Sequence, residues 1–351
     1  MAQAIGLKID SRRHRNLSSA EGSKKTVYVA LGGNLIIAAA KFGAAWFTGS
    51  SAMLSEGAHS LVDCGNEVLL LYGMRRAARP PDLAHPFGYG REVYFWSFIV
   101  ALLFFALGAG VSFYEGVQHL LRPQQIAYFS VTYGVLLVSA LCEGFSLRVA
   151  VKEFAQQKGE LGYVEAIRRS KNPATFTVLL EDSAALLGLG IAFLGILGAQ
   201  LFDLPALDGI ASLGISLILG TMAVFLAVET KGLLLGEQAS PVLEAAILRA
   251  ASADKAVSTA NGVYTVHIGP DQIVAELSVG FERSADAAEI ERAVERMEAA
   301  IRAEHPEVLM LFVKPQAYET WRARLAGIEA TSSPDVRASA TRRRALWRKL
   351  G

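Results

Sequence analysis

The sequence predicts an α-helical membrane protein: six transmembrane helices followed by a small α+β cytoplasmic domain. Three observations carry that reading. The chain is 52% hydrophobic and 19% charged, with a mean hydropathy of +0.34, too apolar for an ordinary soluble protein. Apolar stretches of helix length recur six times before residue 237 and not after it. Lysine and arginine gather in alternate connections between those stretches, the pattern that sets orientation in a bilayer.

The expected spans are Thr26–Thr48, Ser51–Ala77, Glu92–Leu121, Ile126–Val151, Pro173–Phe202 and Asp208–Gly236. Each exceeds the roughly 20 residues needed to cross a membrane. Only a short Gly-Ser turn separates the first two, which makes them an antiparallel hairpin. Residues 1–25 are polar, carry five basic residues between Arg12 and Lys25, and contain no apolar core. They are not a secretory signal, and Asp10 and Glu21 interrupt a mitochondrial presequence pattern. This segment, the connection with Arg75, Arg76, Arg79 and Arg91, and the one with Lys158, Arg168, Arg169 and Lys171 are basic. The intervening connections hold only Arg122, so both termini are expected in the cytoplasm, and a bacterial inner membrane is the expected location.

Residues 237–316 change character. Helices are expected over Pro241–Ala253 and Asp286–Glu304, with strands over Val263–Ile268, Gln272–Phe281 and Val308–Lys314. The order α-β-β-α-β makes a compact α+β domain of about 80 residues, enough for a modest core. Residues 317–351 are arginine-rich, show no clear apolar face and are expected to be a flexible basic tail. A net charge of +1 gives no reason to expect nucleic acid. Cys64 and Cys142 both lie in apolar stretches, so no disulfide framework is expected.

Chemistry-bearing residues concentrate in the second span. At 3.6 residues per turn His59, Asp63 and Glu67 lie one above another, with Glu56 a turn before His59. Even on lenient scales a charge at membrane depth costs about 2.5–3.5 kcal/mol, so such a stripe must face a partner, a cavity or a cation. The His59-x-x-x-Asp63 spacing lets imidazole and carboxylate converge on one ion, which suits Zn²⁺, and Mn²⁺ or Fe²⁺ with less discrimination. Glu181 and Asp182 are the only carboxylates in the fifth span. Neighbours on a helix diverge by about 100°, so one of the two is expected to point at the ion. Across packed helices, His59, Asp63 and Asp182 form the candidate metal site, with a proton relay or buried hydrogen-bond network without metal as the alternative. In the loop, Asp82 and His85 are a weaker candidate, since such a pair serves more often as a turn cap. Glu115, Glu143, Asn34 and Asn66 read as packing or interhelix hydrogen-bonding groups.

GAHSLVD in the second span, HPFGYGR in the next loop, YEGVQHLL at the end of the third span and DGIASLGISLIL in the sixth resemble the cation diffusion facilitator family. The likeness covers roughly residues 26–316. LLEDSAALLG and RRSKNPAT look nearest to the branch containing a mitochondrial zinc transporter of animals. The resemblance implies a homodimeric antiporter that moves Zn²⁺, or Mn²⁺, Fe²⁺ or Co²⁺, out of the cytoplasm against protons, with a ferredoxin-like cytoplasmic domain. It implies a site of two residues four apart on the second span and two more on the fifth. His59 and Asp63 match the first pair and Asp182 the last position, but Val178 stands where a ligand is expected, which leaves that place to Glu181, water or another group. In the family's loop site Asp82 and His85 match, and Tyr89 replaces a histidine. The expected partners are therefore a divalent cation, protons, the bilayer and a second copy, with no cofactor and no enzymatic step. A transport-deficient regulatory scaffold of the same fold is the alternative. An enzyme using His59 and Asp63 as acid and base ranks last, because no nucleophile accompanies them.

Overall fold

Apolar side chains are arranged around almost the whole circumference of the long helices, and the computed structural model leaves many of them facing outward. It describes residues 2–49, 51–122, 128–159, 161–335, 337–338 and 340–341. Helices α1 (Ala2–Thr48), α2 (Ser51–Ala77), α3 (Glu92–Leu103), α4 (Gly110–Leu121), α5 (Phe129–Lys158), α6 (Tyr163–Arg169), α7 (Pro173–Phe202) and α8 (Ala206–Leu235) build the first part. Trp46, Leu141, Phe145, Leu194, Leu217 and Val228 are all exposed on it. A surface this apolar is stable in lipid rather than in water.

Among the described residues five helical stretches are long and apolar enough to cross a membrane: Glu21–Thr48, Glu92–Leu121, Phe129–Gln156, Pro173–Phe202 and Ala206–Leu235. The expected second span, α2, is a 27-residue helix but is not apolar enough to join them. Its His59, Asp63, Asn66 and Glu67 lower its hydropathy, yet α2 packs along α3 as a member of the same bundle. Polar groups on such a helix must be satisfied inside the protein. The first expected span is part of a longer helix that starts at Ala2, rather than a separate element after a polar segment.

The third span is not a uniform helix. Phe104–Ala109 forms a π-helical segment that joins α3 to α4 without a break. Such segments loosen the regular ladder and recur at functional sites. Here Ser216 Oγ of α8 donates to Ala109 O at 2.9 Å. Just beyond, α4 and α8 approach closely. A Cβ on Gly209 would lie 3.0 Å from Leu120 N and 3.1 Å from Gly116 O, so glycine permits the crossing. The small residues that follow Asp208 on α8, Gly209, Ser212 and Ser216, thus form a close-packing face.

At the end of the bundle where α3 and α7 begin, Val27, Leu70, Tyr94, Phe154, Phe176 and Val178 are core residues of one apolar cluster. Polar ties reinforce it. Asn172 Nδ2 and Thr175 Oγ1 donate to Ser23 Oγ at 2.6 and 2.8 Å, joining α1 to α7. Arg76 pairs with Glu92 at 2.8 Å, and Arg168 lies 3.7 Å from Glu229.

The chain from residue 235 belongs to a second compact unit. Helix α9 (Pro241–Ser252) starts where Ser240 Oγ accepts from Leu243 N, and α10 (Ala287–Glu304) where Asp286 Oδ1 accepts from Glu289 N. Strands β1 (Val257–Gly269), β2 (Gln272–Phe281) and β3 (Val308–Pro315) form a sheet in the order β1-β2-β3. The β1–β2 pair is antiparallel and β2–β3 is parallel, which requires the α10 crossover. Ile247, Ala275, Leu277, Val279, Met297 and Ile301 fill the core beneath. This is the expected α-β-β-α-β domain, with β1 beginning six residues earlier than its apolar run suggests.

The expected flexible tail from residue 317 is corrected in its first part by helix α11 (Tyr318–Thr331). A single anchor explains it. Trp321 is buried, its ring lies 4.7 Å from that of Tyr264, and a Cβ on Gly262 would collide with the indole. One buried residue in the helix leaves no periodic apolar pattern to read. The end of the expected tail, residues 342–351, lies outside the described residues.

Candidate functional site

Polar residues on six different helices meet around one cavity of about 260 Å³ inside the bundle. Helix α1 contributes Asn34 and Lys41, and α2 contributes Glu56, His59, Ser60 and Asp63. Glu115 and His119 come from α4, Ser139 and Glu143 from α5, Glu181 and Asp182 from α7, and Asp208 from α8. All four residues expected at the membrane site (His59, Asp63, Glu181 and Asp182) therefore line the same space. The lining runs from Glu181 and Asp182 near mid-bundle to Met53, Thr132 and Asp208, close to where α2, α5 and α8 begin. The opposite end is occupied by the apolar cluster and its polar ties.

Carboxyl groups dominate the electrostatics. Asp63, Glu67, Glu143, Glu181 and Asp182 are near enough to repel one another, while His59 and Lys41 are the basic side chains beside Asp63. Amide partners hold two of the carboxyls. Asn34 Nδ2 donates to Glu67 Oε1 at 2.9 Å, and Asn66 Nδ2 to Glu181 Oε1 at 3.5 Å. The reading of both asparagines as interhelix groups is thus supported. Asp182 lies beside Glu143 and Ser146 of α5, and its buried Oδ2 accepts no hydrogen bond. Acceptors left bare in this way cost free energy unless something else binds them.

Glu181 and Asp182 diverge as helix geometry requires, one towards Asn66 of α2 and the other towards α5. The expectation that only one reaches the site is corrected, because the cavity lies between those helices and both carboxyls border it. Glu115 and Glu143, expected to serve packing, also line it. Val178 does not: it is 1% exposed and packed in the apolar cluster. Among the described residues no three His, Cys, Asp or Glu side chains are gathered closely enough to grip a metal ion in this arrangement. The site residues share a cavity rather than a finished coordination shell.

The loop pair has another occupation. Asp82 Oδ1 accepts from Ala84 N at 3.0 Å and His85 N at 2.7 Å, while Tyr89 Oη donates to Oδ2 at 2.6 Å. His85 Nδ1 is 3.4 Å from Asp82 Oδ1. The Tyr89 bond, followed by that from His85 N, holds the Asp82 carboxyl below the ordinary range. The guanidinium groups of Arg76 and Arg79 lie over the Tyr89 ring at 5.7 and 5.6 Å. Asp82 is thus the cap of a tight turn closed by Gly88, whose φ is +78°, and Tyr89 occupies its second carboxylate oxygen.

Sequence reasoning missed two groups. Lys41, inside an apolar span, lines the cavity and donates to Ser60 Oγ at 2.9 Å. His119 Nδ1 lies 2.7 Å from Asp208 Oδ2 near the other margin. The available signal was an ionisable residue at membrane depth, which by default marks function.

A sequence profile of the cation efflux transmembrane domain matches residues 27–235. The chain belongs to the cation efflux family. Within that family its relatives include "Proton-coupled zinc antiporter SLC30A9, mitochondrial" of Xenopus laevis, 34% identical over 242 residues, which are 68% of this chain and 43% of the relative. The protein of the same name from Homo sapiens is 34% identical over 265 residues, 75% of this chain and 46% of the relative. "Metal tolerance protein C4" of Arabidopsis thaliana is 32% identical over 262 residues, 74% of this chain and 57% of the relative. The chain thus spans about half the length of the curated relatives it matches. The resemblance to the mitochondrial zinc transporter branch is borne out, and so are the family's membrane domain and small α+β domain.

Proposed function

We propose that this cation efflux protein is a secondary transporter that exports a divalent cation, Zn²⁺ foremost, from the cytoplasm in exchange for protons. The observation that carries the reading is the carboxyl-lined cavity, reaching from Asp63 and Asp182 to one end of the bundle while the other end is sealed. His59, Asp63 and Asp182 hold the ion, with Glu181 or water completing the set in place of Val178. Imidazole nitrogen with carboxylate oxygens suits Zn²⁺. Metal displaces protons from its ligands, and imidazole, with an ordinary pKa of about 6.5, exchanges its proton near neutrality. With the basic connections in the cytoplasm, the sealed end faces the cytoplasm and the cavity opens to the far side, one of the two states that alternating access requires.

The functional unit in this reading is a homodimer with the α+β domain in the cytoplasm. A bacterial inner membrane remains the proposed location. The word "mitochondrial" in the relatives' names supports the rival, and fractionation of the source cells distinguishes them. The deciding experiment is metal uptake by purified protein in liposomes with an imposed proton gradient, comparing Zn²⁺, Mn²⁺, Fe²⁺ and Co²⁺. Gradient-dependent uptake with Zn²⁺ preferred is the expected result. No uptake of any of the four would replace the transporter by a regulatory scaffold.

A further inference from the structure

Lys41 is the only lysine or arginine among the described residues that lines the cavity. Its side chain is 13% exposed, and its ammonium lies 2.9 Å from Ser60 Oγ and 3.6 Å from Glu56 Oε2. Glu56 and Ser60 are four apart on α2, interleaved with His59 and Asp63, which are also four apart. The charged groups in electrostatic reach of the ammonium are Glu56 and Asp63 from α2 and Glu143 from α5, with His59 lining the same cavity. Ser60 precedes Asp63 by three residues, which places it about 4.5 Å nearer the open end along the helix. The ammonium therefore stands between the carboxyls and the mouth, beside the path of a departing ion.

We propose that Lys41 is a tethered cation that competes with the metal for Asp63, lowering affinity in the far-side-open state and promoting release. The proposal rests on the transport reading and adds a residue that sets its affinity. Two cations sharing one carboxylate weaken each other's binding, most strongly in a cavity of low dielectric. Glu56 is the second anchor, which holds the ammonium back while the ion is bound. As the ion leaves, the flexible four-carbon stem lets the ammonium move to Asp63, so the vacated carboxylate keeps a positive partner.

This division of roles predicts effects of opposite sign on α1 and α2. Lys41→Met should tighten Zn²⁺ binding to the full-length protein in nanodiscs by about tenfold, because a repelling charge is gone. Lys41→Arg, which keeps the charge, should bring affinity back towards the native value. Glu56→Gln should weaken binding by about tenfold, because the ammonium then has Asp63 as its remaining close anionic partner on α2. A plain strut between α1 and α2 would make both neutralising changes act in the same direction. Binding is measured by competition with a fluorescent zinc chelator, and release by efflux from loaded liposomes. Shifts of the same sign, or two shifts below twofold, overturn the proposal. Should Lys41→Met fail to fold, Glu56→Gln decides alone, and unchanged or tighter binding overturns it. Loss of gradient-driven uptake by the native protein would instead remove the transport reading itself.

Discussion

Glu67 shares the α2 stripe with His59 and Asp63, yet the structure gives it different surroundings. Its carboxyl is 1% exposed, accepts from Asn34 Nδ2 at 2.9 Å through Oε1, and has a bare Oε2. It does not line the cavity, whereas Asp63 does. Asn34→Ala removes the donor and leaves Oε1 without that bond as well. An abandoned buried acceptor costs about 1–3 kcal/mol. Replacing both partners by apolar groups, Asn34→Leu with Glu67→Met, should be close to neutral, so the cycle should show a coupling of about 1–3 kcal/mol. Unfolding of the detergent-solubilised protein measures stability, and liposome uptake measures function. Glu67→Gln is expected to retain most Zn²⁺ uptake. If it abolishes uptake while stability is intact, Glu67 belongs to the ion site and the separation by cavity lining is wrong. A cost below about 0.5 kcal/mol for Asn34→Ala would show that the bond holds little, against the usual range for buried pairs.

Asp63→Ala and Asp182→Ala should each abolish uptake while leaving a folded, membrane-inserted protein, because each removes a carboxylate from the proposed ion site; near-native uptake by either would misplace that site. Val178→His should destabilise the metal-free protein by about 1–3 kcal/mol, since it buries an imidazole in an apolar cluster, and should tighten Zn²⁺ binding relative to Mn²⁺ if water fills the missing position. If Glu181 fills it instead, Glu181→Gln cripples uptake and Val178→His changes selectivity little; no effect of either variant would mean that α7 does not face the ion. Residues 238–316 expressed alone should fold, dimerise and respond little to chelator, and a large chelator-induced fall in melting temperature would reveal a missed metal site. In that fragment Arg296 bonds Asp254 at 2.8 and 2.9 Å and holds its carboxyl below the ordinary range. A depressed carboxylate pKa stabilises above the unfolded value of about 3.9 and loses that contribution as pH falls through the folded value. Arg296→Ala should therefore flatten the acid limb of the stability profile, modestly because solvent screens the exposed arginine; an unchanged limb would refute it.

The bundle was legible because bilayer thickness imposes a length on apolar stretches, and the α+β domain because strand and helix periods differ. Five stretches met that physical criterion and α2 did not, for the same reason it drew attention as a candidate site. Polar groups reduce hydropathy and mark function at once. The pairing of His59 with Asp63 follows from helix spacing alone. Lys41 was hidden because its significance depends on α1 lying against Ser60 and Glu56, a tertiary fact that no local pattern encodes. Helix α11 was hidden because one residue, Trp321, anchors it through a glycine on a distant strand. Tyr89 was visible as a departure from the family pattern, but only the hydrogen bond to Asp82 shows what the change does.

Val178 connects the ligand set to the seal. It lies one turn from Asp182 towards the start of α7, on the side where Val27, Tyr94 and Phe176 close the bundle. An imidazole at that position in this conformation would face apolar neighbours rather than the cavity, and would need a partner there. Valine needs none, so the residue that removes a ligand from the family's set also completes the packing that closes this end. The ties through Ser23, Arg76 and Arg168 lie at the same end and must rearrange before an ion can enter from that side. A carrier with fewer ligands gives up its ion more readily at the open end, and one with a better-packed closed end leaks less. On the proposed transport reading Val178 does both with one side chain, whereas Lys41 is proposed to act on the ion in the open state alone.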